Sequence, residues 1–341
     1  MRKHLMRWLA CIAVAAAGSA WAQPAYQRGY QRAYQRADID SVSLKLQDAL
    51  LAGDIATLER LHAELLVLER KAGPGRWMME SFVWALDNGM PVALKDRNKL
   101  FALLARWKEE QPRSGLQPIY EANAWFKSGW EHRGSGSASA VSPESMQLFR
   151  RDMERASRIV HGAGPEAKES PLYYRTAIAI AGSSGADPQA LDDLYREGAR
   201  RFPINLGIVD ARRNFLMPQW GGSYDALDRL IRDAVLRTQA SEGTAFYARL
   251  YVSVARNMWE QKDFFAQTRA RWPLMRHAFE DAVVLDADTS MLNAYATFAC
   301  MAGDRETLRR IVARLGPRAA LGWGLRFVSP DACMEMARAE R

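Results

Sequence analysis

Apolar residues recur at every third or fourth position along most of the chain, whereas runs that alternate apolar and polar residues are almost absent. The clearest stripe begins at Phe246 and ends at Trp259, and it is wide enough for one helix to pack against two neighbours. The pattern predicts an all-α fold. The predicted helices cover 41–52, 55–71, 76–88, 94–110, 116–131, 143–161, 171–182, 188–201, 204–217, 224–239, 244–261, 263–271, 273–285, 290–302, 305–315 and 330–340.

Proline and glycine mark the ends of these helices, because proline fits the first turn of a helix and disrupts its interior. We expect Trp272-Pro273 to divide one long helical pattern into two. Residues 132–142, HRGSGSASAVS, lack periodicity and are rich in small residues, which is typical of a flexible loop. This loop divides the chain into a predicted N-terminal helical lobe at 40–131 and a C-terminal helical-repeat lobe at 143–341.

Three turns of small residues join predicted helices: Ala52-Gly53-Asp54, Gly221-Gly222-Ser223 and Ala302-Gly303-Asp304. The last residue of each turn can cap the next helix, since its side-chain oxygen can accept from the free N–H groups of the first turn. The glycine before the cap can take the left-handed conformation that ends the preceding helix. Apolar residues then recur four, seven and eleven positions after each cap, which indicates a repeated hairpin: Leu58, Leu61 and Leu65; Leu227, Leu230 and Ala234; Leu308, Ile311 and Leu315.

The Gly221-Gly222-Ser223 turn has a second interpretation as an anion site, because backbone N–H groups at a helix start attract negative charge. However, the stretch lacks the lysine of a phosphate-binding P-loop, and no strand pattern precedes it. A turn between two helices is therefore the favoured interpretation.

Paired helices joined in this way, with a proline such as Pro203 closing the pair, resemble tetratricopeptide-type repeats. More narrowly, RRFPINLGIVDARRNFLMPQWGGSYDALDRL and TFACMAGDRETLRRIVARLG are similar to an uncharacterised bacterial family of tetratricopeptide-like proteins. That family carries a Pro-x-Trp-Gly-Gly-Ser turn and a later Ala-Gly-Asp turn. The resemblance covers about residues 195–316. It implies stacked helical hairpins in a right-handed curved solenoid, and it implies no known reaction.

The first 22 residues place Arg2, Lys3 and Arg7 before a short apolar run and end in Ala20-Trp21-Ala22. This order is typical of a secretory signal peptide, and the apolar run is shorter than the roughly 20 residues that span a bilayer. We therefore predict export to the bacterial periplasm, with no transmembrane segment after cleavage. Residues 23–39, which contain a Tyr-Gln-Arg repeat, are predicted to form a tail or a frayed helix.

Charge and histidine content argue against several classes of function. The net charge of +8 is spread along the chain, so nucleic-acid binding is not expected. The four histidines after the signal peptide do not occur at the three- or four-residue spacing of a helical metal site. The HExxH and GxSxG motifs are also absent. The sequence therefore predicts no metal, no cofactor and no catalytic residue.

Two cysteines, Cys300 and Cys333, follow the predicted signal peptide. They are too few for a disulfide scaffold or for a zinc site built from cysteines. In an oxidising compartment they could pair with each other, but their spacing does not show whether they face each other. The paired and the free states both remain open from the sequence.

Stacked hairpins present the first helix of each pair along one concave face. Eleven residues before the three caps lie Ser43, Arg212 and Asn293, all polar on helices whose other faces are apolar. We hypothesise that this face binds the carboxylates or backbone of a protein or peptide; a solvated polar face is the alternative. The candidate partner-binding residues are Arg212, Arg213, Asn214 and Asn293. The leading hypothesis is thus a non-catalytic scaffold.

Two further hypotheses remain. A glycan-binding or glycan-active envelope protein would place some of the tryptophans near a carboxylate in a cleft. Glu80-Ser81 and Glu169-Ser170 match the Glu-Ser pair of lytic transglycosylases, yet neither is followed by the glycine-rich stretch of those enzymes. A purely structural element of an envelope assembly would expose an extensive apolar surface. The tryptophans in question are Trp77, Trp84, Trp107, Trp125, Trp130 and Trp259.

Overall fold

The computed structural model describes residues 36–70, 76–136, 138–258, 263–285, 288–322, 325 and 328–339. The regular structure in these ranges is helical and contains no strand, so the all-α prediction is confirmed. None of the helices in these ranges is both long enough and apolar enough to cross a membrane. The predicted signal peptide at 1–22 and most of the predicted tail at 23–39 lie outside the described residues.

The α-helices follow the apolar periodicity closely, and most of their ends fall within a few residues of the predicted ones. Their bounds are α1 (Arg36–Ala52), α2 (Ile55–Arg70), α3 (Glu80–Trp84), α4 (Met90–Ala93), α5 (Arg97–Glu110), α6 (Gln117–Arg133), α7 (Pro143–His161), α8 (Pro165–Lys168), α9 (Pro171–Ser183), α10 (Pro188–Arg201), α11 (Leu206–Asn214), α12 (Tyr224–Glu242), α13 (Ala245–Arg256), α14 (Phe264–Gln267), α15 (Trp272–Leu285), α16 (Thr289–Met301), α17 (Arg305–Leu315) and α18 (Pro330–Arg338).

The segment between α2 and α5 differs from the expectation of one helix that ends near residue 88. The chain remains helical from Arg76 to Asp96 but changes type repeatedly, and a π turn spans Ala85–Gly89 between α3 and α4. Pro91 lies in the first turn of α4, where its missing N–H costs little. Proline therefore does not break this segment, and Asp96 caps α5 through the N–H of Lys99.

The three predicted caps are confirmed. Asp54 accepts from the N–H of Thr57 at 3.0 Å. Ser223 accepts from the N–H of Ala226 at 3.2 Å, and Asp304 accepts from that of Thr307 at 3.0 Å. The nine apolar residues at the repeated positions are all buried. They are Leu58, Leu61, Leu65, Leu227, Leu230, Ala234, Leu308, Ile311 and Leu315.

The turn before α12 differs from the other two in its glycines. Gly53 and Gly303 directly precede their caps and have φ angles of 74° and 70°. Before Ser223, the positive φ of 83° belongs to Gly221, two residues before the cap. Gly222 is required for a different reason: a Cβ there would lie 2.2 Å from the backbone oxygen of Leu216. The prediction of a left-handed glycine directly before the cap is therefore wrong at this turn.

The structure before α15 differs from the predicted helix at 263–271. Only α14 is helical there, and Thr268 ends it by turning its hydroxyl back to the carbonyl of Phe264 at 2.8 Å. Helix α15 then begins at Trp272 with Pro273 in its first turn. The expected break at Trp272-Pro273 is confirmed, although the helix before it is shorter than predicted.

Helices pack mainly on their neighbours in the sequence. Helices α6 and α7, which flank the predicted loop at 132–142, lie against each other, and α6 continues to Arg133 before the chain leaves the helix. Farther along, α9 contacts α11, α11 contacts α13, and α13 contacts α15. One connected set of buried apolar side chains includes residues from α1 to α18.

Polar contacts join the residues before and after the 132–142 loop. Asp87 accepts a hydrogen bond from Lys127 at 2.9 Å and also pairs with Arg175 of α9. Asn205 donates to Glu69 at 2.8 Å. These contacts place α9 and α11 directly against the first helices of the chain.

Cys300 of α16 and Cys333 of α18 form a disulfide, with their Cα atoms 5.6 Å apart. The bond closes a loop across 33 residues of sequence and holds α18 against α16 and α17. This observation decides between the two cysteine states that the sequence left open.

Candidate functional site

The two candidate arginines of α11 are bound to carboxylates of their own chain. Arg212 is buried, and its guanidinium lies 2.7 Å from Oδ1 of Asp192. Arg213 is also buried and donates twice to Asp210 at 3.0 Å, while Ser253 donates to the same carboxylate at 2.6 Å. Burial raises the pKa of Asp210, but the charge and hydrogen bonds of Arg213 outweigh it and hold the pKa below its usual value.

The other two candidates lie on different helices. Asn214 is half-buried at the end of α11. Asn293 lies on α16 and lines a groove that neither Asn214 nor the two arginines line. Of the four candidates, Asn293 has the environment closest to a binding residue.

Asn293 holds a segment of backbone. Its Nδ2 donates to the carbonyl of Arg318 at 3.2 Å, and its Oδ1 accepts from the N–H of Ala320 at 2.6 Å. One turn along α16, the hydroxyl of Thr297 accepts from the N–H of Gly322 at 3.0 Å. Two side chains on one face of α16 therefore bind the backbone of residues 318–322.

The groove beside this segment consists of two adjoining cavities of about 460 and 160 Å³. The cavities share Val252 and Arg256 of α13 and Ser290 and Ala294 of α16. The start of α1 borders both of them, and the segment that follows residue 318 forms another wall of the larger one. We call the two cavities together the α16 groove.

The lining of the α16 groove combines apolar surface with hydroxyl and amide groups. Val252, Phe298 and Leu325 supply apolar contacts and Ser290 supplies a hydroxyl, while the amide of Asn293 already binds backbone groups of its own chain. Ligand clefts typically show this combination, in which apolar surface gives affinity and a few polar groups fix orientation.

Of the residues that line this groove, only Asn293 is among those that the sequence pattern predicts as binding residues. Thr297 lies four residues after Asn293, a spacing that places both on one helix face, so it could have been found. Val252 and Leu325 could not, because only the packing of separate elements brings them to α16.

The two Glu-Ser pairs occupy structural positions. Both carboxylate oxygens of Glu169 are engaged, one by Arg70 at 2.6 Å and the other by Arg201. Ser170 is buried, caps α9 and bonds to His62 at 2.9 Å. Burial, with a smaller effect of the Arg70 charge, lowers the pKa of His62 to about 4. Ser170 therefore lies inside the core, where no substrate reaches its hydroxyl, whereas the side chain of Glu169 is 50% exposed.

Ser81, the partner of Glu80, is also buried and donates to the carbonyl of Ile39 at 3.2 Å. Its hydroxyl therefore joins the irregular segment to α1. Neither Glu-Ser pair presents both side chains to one open cleft.

The tryptophans in the described part of the chain serve mainly in packing. Trp107 is fully buried and donates to Glu59 at 2.7 Å. Trp220 is the most exposed of them, at 38%, and meets Trp130 edge to face at 6.0 Å between ring centroids. The side chains of Trp77 and Trp259 lie outside the described residues.

Among the residues that the structure describes, no group of three or more His, Cys, Asp or Glu side chains is placed to hold a metal ion. A scan against protein-family models gives no match, and neither the curated proteins nor the solved structures give a significant one. The resemblance to tetratricopeptide-like proteins therefore stays a prediction based on the turns and their spacing.

Proposed function

We propose that the protein is an exported, non-catalytic helical-repeat scaffold that binds a protein or peptide in the α16 groove. The observation that carries this proposal is the set of hydrogen bonds between the side chains of Asn293 and Thr297 and backbone groups of residues 318–322. Side chains that fix one stretch of backbone, beside a groove with apolar and polar walls, suit a second stretch of polypeptide.

The arrangement of helices supports the architecture in this proposal. Contacts of α9 with α11, of α11 with α13 and of α13 with α15 link alternate helices, as expected when one hairpin covers the apolar face of the next. We propose that these hairpins form a right-handed curved solenoid of tetratricopeptide type, with the α16 groove on its inner face.

The disulfide between Cys300 and Cys333 supports export, because such bonds persist in oxidising compartments such as the bacterial periplasm. It agrees with the basic, apolar and small-residue order of the first 22 residues. We propose a periplasmic location on these two grounds.

A photocrosslinking amino acid at Ser290 tests the binding proposal, because Ser290 is exposed and lines both cavities of the groove. The control position is Leu236 of α12, which is 72% exposed and lines neither cavity. Illumination of cells that export the chain should give discrete crosslinked polypeptides at position 290 and not at position 236.

A second arm uses groove-filling variants with the crosslinker at Ala294, another lining residue. Ser290→Trp should abolish crosslinking from this position, and Ser290→Ala should preserve it. Equal crosslinking at positions 236 and 290, or none at either, would contradict the proposal. Crosslinked material that a muramidase removes would favour the glycan hypothesis instead.

A further inference from the structure

A second groove, unrelated to the α16 groove, lies between the α5–α6 turn and α7. It has a volume of about 570 Å³ and carries four basic side chains on its lining. Two acidic residues, Glu121 and Glu166, also line it. The basic residues are Lys108, Arg113, Arg155 and Arg158. We call this the basic groove.

The four cations have no acidic partner within the part of the chain that the structure describes. Among the described residues, none of them makes an ion pair, although ion pairs are frequent elsewhere on this chain. Glu121 accepts instead from the amide of Gln117 at 3.0 Å. An excess of unneutralised positive charge therefore faces this groove.

The negative ends of two helix dipoles neutralise part of this positive charge. Lys108 lies in the last turn of α5 and Arg158 in the last turn of α7, where cations interact favourably with the helix dipole. Each helix end contributes only about half a negative charge. Four cations against two carboxylates and two such ends still leave the groove positive.

Arg155 packs against an aromatic ring at the edge of the groove. Its guanidinium lies over the ring of Trp125, 4.4 Å from the centroid, and Trp125 also packs on Phe101 with centroids 4.3 Å apart. A guanidinium held against an aromatic ring loses little further freedom when its N–H groups bind a carboxylate.

The walls of the groove are fixed in relation to each other. Gly115 of the α5–α6 turn lies so close to α8 that a Cβ there would be 2.5 Å from the carbonyl oxygen of Glu166. Ser114 and Trp107 both donate to Glu59 of α2, which ties the same turn to the first hairpin. The turn that carries Arg113 is thus packed against both α8 and α2.

We propose that the basic groove binds an acidic peptide segment of a partner protein. Three of the four cations are exposed, and exposed charges bind a single small anion weakly because water and salt screen them. A segment with several carboxylates engages them together, while Ile159 and Pro112 offer apolar contact between the charges. The concave shape also suits a chain better than the flat surface of a bilayer.

The test is fluorescence anisotropy with the full chain and a labelled peptide that alternates glutamate and leucine. Saturable binding at low salt should weaken as salt rises. The double variant Arg155→Gln/Arg158→Gln should lose about tenfold in affinity, which corresponds to about 1.4 kcal/mol. The control Arg60→Gln/Arg196→Gln removes the same charge outside the groove, from side chains that are 57% and 65% exposed. It should bind the peptide as tightly as the native chain does.

Several outcomes would overturn the proposal. They are the absence of saturable binding by the glutamate peptide, equal binding of a lysine-leucine peptide, and an equal loss in the control variant. Displacement of the peptide by millimolar inorganic phosphate, or stronger binding to anionic vesicles than to the peptide, would also reject an acidic peptide as the ligand. Thermal unfolding of each variant verifies that its fold is intact. Crosslinking at Ser290 is a separate readout, so this proposal and the α16 groove can fail independently.

Discussion

At the scale of single residues, His62 is the clearest source of pH dependence. Burial lowers its pKa to about 4 in the folded chain, against an ordinary value of 6.5. Between these two pH values the unfolded chain binds a proton that the folded chain does not, so acid favours unfolding. We expect the free energy of unfolding to fall by about 3 kcal/mol from this group as the pH decreases from 7 to 4.

Urea denaturation of native and His62→Gln chains across this pH range measures the effect. The difference in stability between the two chains should narrow by that amount as the pH falls. His277→Gln, which changes a side chain that is 69% exposed, is the matched control and should leave the curve unchanged. A constant difference between native and His62→Gln chains would contradict the assignment.

The two adjacent glycines before α12 should respond differently to alanine. In Gly222→Ala the new Cβ meets the backbone of Leu216, which cannot rotate away, so we expect a loss of about 2 kcal/mol or more. In Gly221→Ala the Cβ has no neighbour within 4 Å and only the left-handed φ is strained, at about 1 kcal/mol. Urea denaturation of both variants shows which one loses more stability. A larger loss at Gly221 would refute this account of the turn.

At the scale of helices, the sequence predicts best where one residue has a local task. Asp54, Ser223 and Asp304 each cap the helix that follows, because capping depends on a side chain and the N–H groups three residues away. The π turn at Ala85–Gly89 has no such local signal. Apolar spacing alone does not distinguish a π turn from an α turn.

The disulfide between α16 and α18 should contribute substantially to stability. By loop-closure entropy, a crosslink across 33 residues contributes about 4 kcal/mol. Cys300→Ala/Cys333→Ala should therefore unfold at lower urea concentration than the oxidised native chain. Dithiothreitol should lower the urea midpoint of the native chain toward that of the variant and leave the midpoint of the variant unchanged. A native chain whose midpoint does not respond to dithiothreitol would refute the contribution of the disulfide.

At the scale of the whole molecule, Asp87 joins parts of the chain that are distant in sequence. Burial raises the pKa of this carboxyl, but Arg175 and Lys127 outweigh it and hold the pKa below its ordinary value. Asp87→Asn would leave Arg175, whose side chain is only 17% exposed, without its carboxylate. We expect a loss of about 2 kcal/mol, because the removed group is itself partly exposed.

Thermal and urea unfolding of Asp87→Asn measure this loss. Asp193→Asn is the control, since its carboxylate is 65% exposed and 3.9 Å from Arg196, and it should change stability by less than about 0.5 kcal/mol. Similar losses in both variants would mean that Asp87 does not act as a connection between distant helices.

The sequence predicts the candidate site only in part, because the packing of separate helices brings most of its residues together. Asn293 is predicted because its position in a repeat is local information. Equivalent reasoning gave Arg212 and Arg213, whose partners Asp192 and Asp210 in fact engage them inside the fold. The basic groove was not anticipated either, because Arg155 and Arg113 come together only when α7 packs beside the α5–α6 turn.

The covalent link between α16 and α18 also affects how the chain would respond to a protease. A single cut at any peptide bond between Cys300 and Cys333 would leave two fragments joined through sulfur. Such a nicked molecule would migrate as one species on a nonreducing gel and separate into two under reduction. In the oxidised protein, α18 therefore stays covalently attached to α16 after the backbone between them is cut.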